Sequence, residues 1–163
     1  MTRESIIDFL NTGTAQTPIW SLCGEGFTAL DENFGAQVDE KQYICDVTST
    51  SSIKSYKTSF SFTSDFIVDD TAVEKIWETA RNHAVGAEAE TEYIRADGWD
   101  KTTTTSGWNC PARKFNVAIE VTSMSGAGGE IPSMTGNLHA KGDATEGWLV
   151  YDGSAYSFTT TQP

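Results

Sequence analysis

The side chains most capable of chemistry in this sequence are two histidines and three cysteines. Neither His83 nor His139 has a Cys, His or acidic partner at the spacing of a recognised metal or nucleophile motif. Cys110 lies in a Trp-Asn-Cys-Pro segment where a nucleophilic thiol could sit, but no spacing indicates a partner base. Because Cys23, Cys45 and Cys110 are odd in number and widely spaced, we expect reduced thiols.

Two further segments resemble binding loops only in composition. The glycine-rich stretch 125–130 lacks the Lys-Ser/Thr ending of a phosphate-binding loop, and it does not lie between a strand and a helix. Asp65, Asp69 and Asp70 lack the spacing and central glycine of a calcium loop. A carboxylate pair that meets only in space would leave no sequence signal. We therefore predict no catalytic, cofactor-binding or metal-binding residue, and no enzyme.

The charge balance excludes a nucleic-acid binding site. The chain carries 11 Lys and Arg against 23 Asp and Glu, a formal net charge of −12. An attractive site for phosphates needs clustered cations, and Arg113-Lys114 is no more than a pair. The opening residues do not read as a signal peptide and no stretch approaches a membrane span, so we expect a cytosolic protein with no membrane partner.

One helix is predicted over about residues 70–82. Its apolar residues recur at helical spacing, namely Val73, Ile76, Trp77 and Ala80. Thr71 and Glu74 have the spacing of a capping box, and Asp69, Asp70 and Arg81 complement the helix dipole. We expect the apolar stripe to cover an opening of a sheet.

The remaining signals are mostly those of strands. Period-two or short apolar runs cover residues 19–22, 42–47, 53–63, 87–95 and 115–121. Residues 148–151 and 155–158 flank Asp152-Gly153, a hairpin signal. We predict one domain over 1–163, a mainly antiparallel β sandwich or barrel with a single flanking helix.

The first 16 residues are predicted to form an N-terminal arm. Ile6, Phe9 and Leu10 lie at helical spacing, and Gly13 would end the helix after barely two turns. So short a helix needs packing against its own domain or a neighbouring subunit to persist. These three residues are a candidate assembly arm.

Residues 87–95 place Glu88, Glu90 and Glu92 on one face of a predicted strand. A solvated strand face is the ordinary interpretation of such a stripe. The alternative is the wall of a channel, where the same charges would keep passing DNA from adhering.

Three stretches together resemble the major tail tube proteins of long-tailed, siphovirus-type bacteriophages. They are residues 19–30, the strand-helix-strand block 56–94 and the segment 134–148, followed by an aromatic strand that ends in Phe158-Thr159. The similarity is one of order and spacing over about 140 residues, without a sharp motif. The arm and the glycine-rich loop depart from the simplest members of that family.

The resemblance implies the phage tail tube fold, with hexameric rings that stack into a tube through which DNA passes without being specifically bound. It also implies a tape-measure protein and tail terminator and tail-tip proteins as partners, a place in the virion tail, and assembly in the bacterial host cytoplasm. Within that interpretation the polar segment 31–41 is a candidate inter-ring loop, carrying Glu32, Asn33, Gln37 and Asp39. A mobile surface loop is the plainer interpretation of the same residues.

Two other functions remain open from sequence. A carbohydrate- or receptor-binding β sandwich would share the fold class and could use Trp99 and Trp108 for stacking. A hydrolase would need a concave pocket with two close acids. The inner tube of a contractile tail cannot be separated by sequence from a non-contractile one.

Overall fold

The computed structural model describes residues 2–163 as a mainly antiparallel β protein with one α-helix. The strands are β1 (Ile6–Asn11), β2 (Trp20–Leu22), β3 (Phe27–Asn33), β4 (Ala36–Lys41), β5 (Thr50–Tyr56), β6 (Ser59–Asp65), β7 (Glu90–Asp97), β8 (Thr102–Thr103), β9 (Trp108–Ser125), β10 (Ser133–Ala140), β11 (Thr145–Tyr151) and β12 (Tyr156–Thr159). The helix α1 spans Thr71–Arg81 between β6 and β7. Short 3-10 turns occupy Arg3–Ser5, Gly86–Ala89 and Gly98–Asp100.

Strand β9 organises the sheet because it is long enough to take different partners along its length. The main path runs β2-β1-β7-β9-β10-β6-β3, with every neighbouring pair antiparallel. The C-terminal half of β9 pairs with β10, whereas its N-terminal half pairs with β11, which in turn pairs with β12. The antiparallel β fold with one helix is confirmed, and the sheet does not close into a barrel.

The central strands bury both faces, which creates two cores. On one face Leu10 lies opposite Tyr93, and both belong to the larger core beneath α1. On the other face Phe9 lies opposite Ile94, and both belong to a smaller core under the β11–β12 hairpin. The Phe9 ring contacts that of Tyr156 at a centroid distance of 4.6 Å.

The predicted N-terminal helix is wrong, because residues 6–11 form a strand inside the sheet between β2 and β7. Phe9 and Leu10 are fully buried on opposite faces of that strand. A strand that needs apolar residues on both sides loses its period-two signature, and its spacing then imitates a helix.

Helix α1 begins and ends close to the predicted limits, but its cap lies one residue earlier than predicted. Asp70 is the N-cap, and its Oδ1 accepts from the backbone N–H groups of Ala72 and Val73 at 3.0 and 3.1 Å. The Glu74 carboxylate accepts from the N–H of Asp69, the residue before the N-cap, at 3.2 Å, so the predicted capping box between Thr71 and Glu74 is not formed. Thr71 instead donates its hydroxyl to Ser21 Oγ at 2.7 Å, tying the helix start to β2.

Of four other strand predictions, two are confirmed, one is wrong and one covers two separate strands. The hairpin around Asp152-Gly153 is confirmed as β11–β12, and residues 115–121 lie inside β9. The predicted strand 42–47 is wrong, since this segment is the turn between β4 and β5. The predicted strand 53–63 is broken at Lys57-Thr58 into β5 and β6.

Of the helices within residues 2–163, none combines the length and apolar character needed to cross a membrane.

Candidate assembly surfaces

The most exposed apolar surface of the protein lies on a projecting hairpin formed by β4 and β5. The two strands pair from Ala36 opposite Tyr56 to Lys41 opposite Thr50, as a separate two-stranded sheet. Large apolar side chains stand in solvent along it and at its tip: Phe34, Val38, Tyr43, Ile44, Val47, Ile53 and Tyr56. A hairpin alone is marginally stable in water, and so much uncovered apolar area is typical of an interaction surface.

The predicted inter-ring loop at 31–41 is a strand, a bend and a second strand. Glu32 and Asn33 end β3, while Gln37 and Asp39 lie on β4 of the projecting hairpin. Glu32 does not belong to an exposed loop, because its side chain is only 11% exposed and pairs with arginines. Gln37 is exposed and Asp39 is half-buried.

The hairpin joins the main sheet through a tight bend at Gly35. Its φ is +60°, and the Lys57 N–H donates to its carbonyl at 3.0 Å. A Cβ at this position would lie 2.2 Å from the Lys57 carbonyl oxygen, so only glycine fits. Beside the bend, Asn33 Nδ2 donates to Ser61 Oγ at 3.0 Å.

A second surface is the polar face of the sheet, opposite the larger core. The register of β3, β6, β10, β9 and β7 places short polar and acidic side chains on it: Asp31, Asn33, Ser59, Ser61, Thr63, Thr135, Asn137, His139, Glu120, Thr122, Glu90 and Glu92. Alternating polar and apolar residues give an antiparallel sheet one solvated face. This continuous polar face spans five strands.

The predicted acidic stripe is only partly present on that face. Glu88 lies in the 3-10 turn before β7, so it does not continue the strand alternation. Glu90 pairs with Lys141 at 2.5 Å, and Glu92 pairs with Lys114 at 2.8 Å. The glutamates of β7 are therefore neutralised locally, and they do not form a bare acidic wall.

A third acid, Glu120, shares the polar face with them. It accepts from Asn137 Nδ2 at 3.0 Å and contacts His139 Nε2 at 2.6 Å. Hydrogen bonds from His139 and then Asn137 hold the pKa of this carboxyl below its usual value. Glu120 is therefore ionised across the neutral range.

A buried ionic network closes the end of the larger core where β3 faces β1 and β7. Asp8 lies opposite Arg95 in the β1–β7 register, and Arg95 lies opposite Arg113 in the β7–β9 register. Arg95 donates through Nε to Asp8 Oδ1 at 2.9 Å and through Nη2 to the Leu30 carbonyl at 3.0 Å. Arg3 also pairs with Asp8 from the N-terminal side. Through the Leu30 carbonyl the network ties β3 to β7, with which β3 shares no backbone ladder.

Burial and the charges of the network raise the pKa values of three side chains in and around it. Burial, followed by the charge of Asp8, raises the pKa of the Tyr93 hydroxyl well above its ordinary value, so this side chain stays neutral and donates to Asp8. Burial alone would lower the pKa of Arg95, but neighbouring Tyr93 and Asp8 outweigh it and the pKa is raised. Burial and the nearby Asp8 also raise the pKa of the Cys23 thiol, which is an inert packed group.

Sequence reasoning missed this network. Its carboxylates and guanidiniums come from β1, β3, β7 and β9, and no local spacing relates them. One signal was available, since Arg95 interrupts the apolar run Tyr93-Ile94-Arg95-Ala96. A charge inside a buried strand needs a partner.

A cleft of about 550 Å³ between β1 and β3 is lined by residues including Arg3, Leu22 and Trp108. Among residues 2–163 no three His, Cys, Asp or Glu side chains converge in a geometry that could hold a metal ion. Trp108 is half-buried with Lys101 Nζ 4.2 Å from its ring centroid, so the ammonium occupies a face that a sugar would need.

Two solved structures share this fold along nearly the whole chain. One is a chain from the tail of an empty gene transfer agent particle, obtained by helical refinement with C6 symmetry; its TM-score is 0.57 at 16% identity, with 98% of each chain covered. The other is a chain from the virion of a native gene transfer agent particle, with a TM-score of 0.55 at 14% identity and 98% of each chain covered. No protein-family model and no curated protein matches the sequence.

The chain therefore shares the fold of these gene transfer agent chains, in agreement with the predicted tail tube fold.

Proposed function

We propose that this chain is a structural, non-enzymatic tail tube protein whose copies form hexameric rings that stack into a hollow tube. The observation that carries the proposal is a fold shared end to end with a tail component of C6 symmetry. The projecting apolar hairpin supports it, because a subunit that must stack needs a surface left uncovered in the monomer. The protein would lie in the virion tail after assembly in the host cytoplasm.

The β4–β5 hairpin is the element that reaches the next ring in this proposal. Six residues of β4 extend about 20 Å at about 3.3 Å per residue, and the turn 42–49 adds to this reach. Burying the tip side chains Tyr43, Ile44 and Val47 against a second copy would contribute about 1.5–3 kcal/mol for each large apolar group. Gln37 and Asp39 keep their proposed inter-ring role as hairpin residues, and Asn33 keeps its role at the hairpin base.

The N-terminal segment has a narrower role in assembly than the sequence suggested. Phe9 and Leu10 are buried within their own domain, so their contribution is to fix β1 in the sheet. Ile6 is half-buried beside the cleft between β1 and β3, and it is the member of the three that a neighbouring subunit could touch.

The polar sheet face is proposed to line the channel. Its side chains are mostly short and polar, and its acids Glu90, Glu92 and Glu120 have local partners, so this face carries no cluster of cations that would hold DNA. Glu90, Glu92 and Glu120 are the acids we assign to this wall, and Glu88 would lie at its margin. DNA would pass during genome ejection without being held.

The partners follow from the same proposal. A tube of defined length needs a tape-measure protein inside it during assembly, and terminator and tail-tip proteins at its ends. The siphovirus-type tail is the variant that the sequence resemblance favours.

Electron microscopy of hairpin variants tests the proposal. We expect the wild-type protein, concentrated or seeded with tail-tip complexes, to form striated hollow tubes. The double variant Ile44→Ser/Val47→Ser should remain monomeric by size-exclusion chromatography. Val85→Ser is the matched control, because it removes a largely exposed apolar side chain outside the hairpin. Tubes from the tip variant would refute the hairpin role, and a wild-type protein that never assembles would refute the function.

A further inference from the structure

In the proposed stack every hairpin leaves its subunit in the same direction, and a group of paired side chains around Glu32, here called the clamp, lies where the hairpin leaves the sheet. Glu32 lies on the core face of β3, one residue before the last β3–β6 pair, Asn33 opposite Ser59. Arg113 donates through Nη1 to Glu32 Oε1 at 2.8 Å and through Nη2 to Oε2 at 2.9 Å. Arg95 Nη1 adds a contact to Oε2 at 3.3 Å. The Glu32 carboxylate is thus bound by arginines from two strands, β7 and β9.

The two arginines lie on neighbouring strands in the middle of the sheet. They are cross-strand partners on β7 and β9, and Arg95 is held by Asp8 and by the Leu30 carbonyl. A bidentate guanidinium–carboxylate pair fixes orientation as well as distance. The ion pairs of Glu32 therefore hold the end of β3 in position relative to β7 and β9. The only strand with which β3 forms backbone hydrogen bonds is β6.

Between Glu32 and the hairpin, the backbone ladder is interrupted. The β3–β6 ladder ends at Asn33, the β4–β5 ladder starts at Ala36, and the Lys57–Gly35 backbone hydrogen bond lies between them. The direction in which β4 leaves the sheet thus depends on how firmly the last residues of β3 are held. A rotation of β3 at Glu32 would move the tip through a larger arc.

We propose that Glu32 is a positioning residue which, through Arg113 and Arg95, fixes the exit direction of the β4–β5 hairpin for assembly. The inference rests on the proposed function for its purpose, but the clamp itself is a property of the single chain. A buried ion pair often contributes little net stability compared with apolar packing, so geometry is the benefit to test. A role in stability alone would leave the hairpin direction of the folded protein unchanged.

The chain offers a natural probe for this direction. Cys45 lies exposed at the hairpin tip, whereas Cys23 and Cys110 are buried, so a spin label on the folded protein attaches at the tip. A second cysteine introduced by Glu78→Cys on the exposed side of α1 supplies the reference point. Pulsed electron spin resonance then measures the distance distribution between the labels.

We expect Glu32→Gln to widen this distribution at least twofold relative to the parent and to slow tube formation at least tenfold. Glu120→Gln is the control, since it removes a carboxylate from the polar face without touching the hairpin base, and it should leave the width unchanged. Arg113→Lys keeps the positive charge but loses the two parallel hydrogen bonds of the guanidinium group, so it should also widen the distance distribution. It replaces Glu32→Gln should the latter fail to fold.

An unchanged width in folded Glu32→Gln, or in Arg113→Lys where only that variant folds, would overturn the clamp, whatever its effect on the melting temperature. A widened distribution supports the clamp even if the wild-type protein forms no tubes, and in that case it is the proposed function that fails. The two ideas are thereby tested separately.

Discussion

Removing Arg95 should destabilise the monomer far more than removing its neighbour Arg113. The Arg95 side chain is 5% exposed and bonds Asp8, whose side chain is 1% exposed, as well as Glu32 and the Leu30 carbonyl. In Arg95→Met the Asp8 carboxylate keeps only Arg3, which is 47% exposed, as a countercharge, and losing the buried partner costs about 3–5 kcal/mol. Arg113 is 34% exposed, and Glu32 keeps Arg95 when Arg113 is lost, so Arg113→Met should cost about 1 kcal/mol.

Urea unfolding at pH 7, followed by tryptophan fluorescence and by circular dichroism, measures this difference. With a slope of about 2 kcal/mol/M, Arg95→Met should lower the midpoint by about 1.5–2.5 M and Arg113→Met by about 0.5 M. Asp8→Asn combined with Arg95→Met should be less destabilising than the sum of the single changes, by about 2 kcal/mol or more. Equal effects of the two arginine variants, or strict additivity with Asp8→Asn, would refute the network as a coupled unit.

Three further perturbations follow from single contacts. Asp70→Ala removes the α1 cap and should lower the unfolding free energy by about 1 kcal/mol in the same urea assay. Gly136→Ala should destabilise strongly, because its Cβ would lie 2.0 Å from the Glu120 carbonyl oxygen, whereas Gly128→Ala, in open space, should be neutral in a thermal melt. Burial raises the pKa of the Cys110 thiol from 9.0 to about 11, so stability present below pH 9 should fall by about 3 kcal/mol as the pH rises to 11. Cys110→Ala should reduce this loss of stability at high pH, and Cys45→Ala should not. If the two variants show the same dependence of the unfolding free energy on pH, ionisation of Cys110 is not its cause.

The elements that could be predicted from the sequence are those whose signals are local. Helix α1 has an apolar stripe and acidic residues at its start, and the β11–β12 hairpin has Asp152-Gly153 at its turn. Both structures are decided by residues within a few positions of one another, so tertiary packing has little to override.

The elements that could not be predicted depend on partners distant in sequence or absent from the single chain. Strand β1 serves two cores, so its apolar residues follow no period of two. The segment 42–47 contains the short apolar run Tyr43-Ile44-Cys45, which is typical of a strand, yet Ile44 and Val47 are exposed to solvent at a hairpin tip. Apolar residues selected for burial against another copy cannot be distinguished by pattern from residues buried within the chain.

The candidate surfaces show the same division. The glutamates of β7 could be named from sequence, but their pairing with Lys114 and Lys141 required the sheet register and the loop after β10. The Asp8–Arg95–Glu32 network could not be predicted, because its members lie as many as 87 residues apart in the chain.

Helical reconstruction by cryo-electron microscopy of tubes assembled from the purified protein tests the central claim most directly. We predict six subunits in each ring, the β4–β5 hairpin of one ring in contact with a subunit of the next, and the polar face of β6, β9 and β10 towards the lumen. Tubes with another symmetry, with hairpins that point into solvent, or with the polar face outside would contradict the claim.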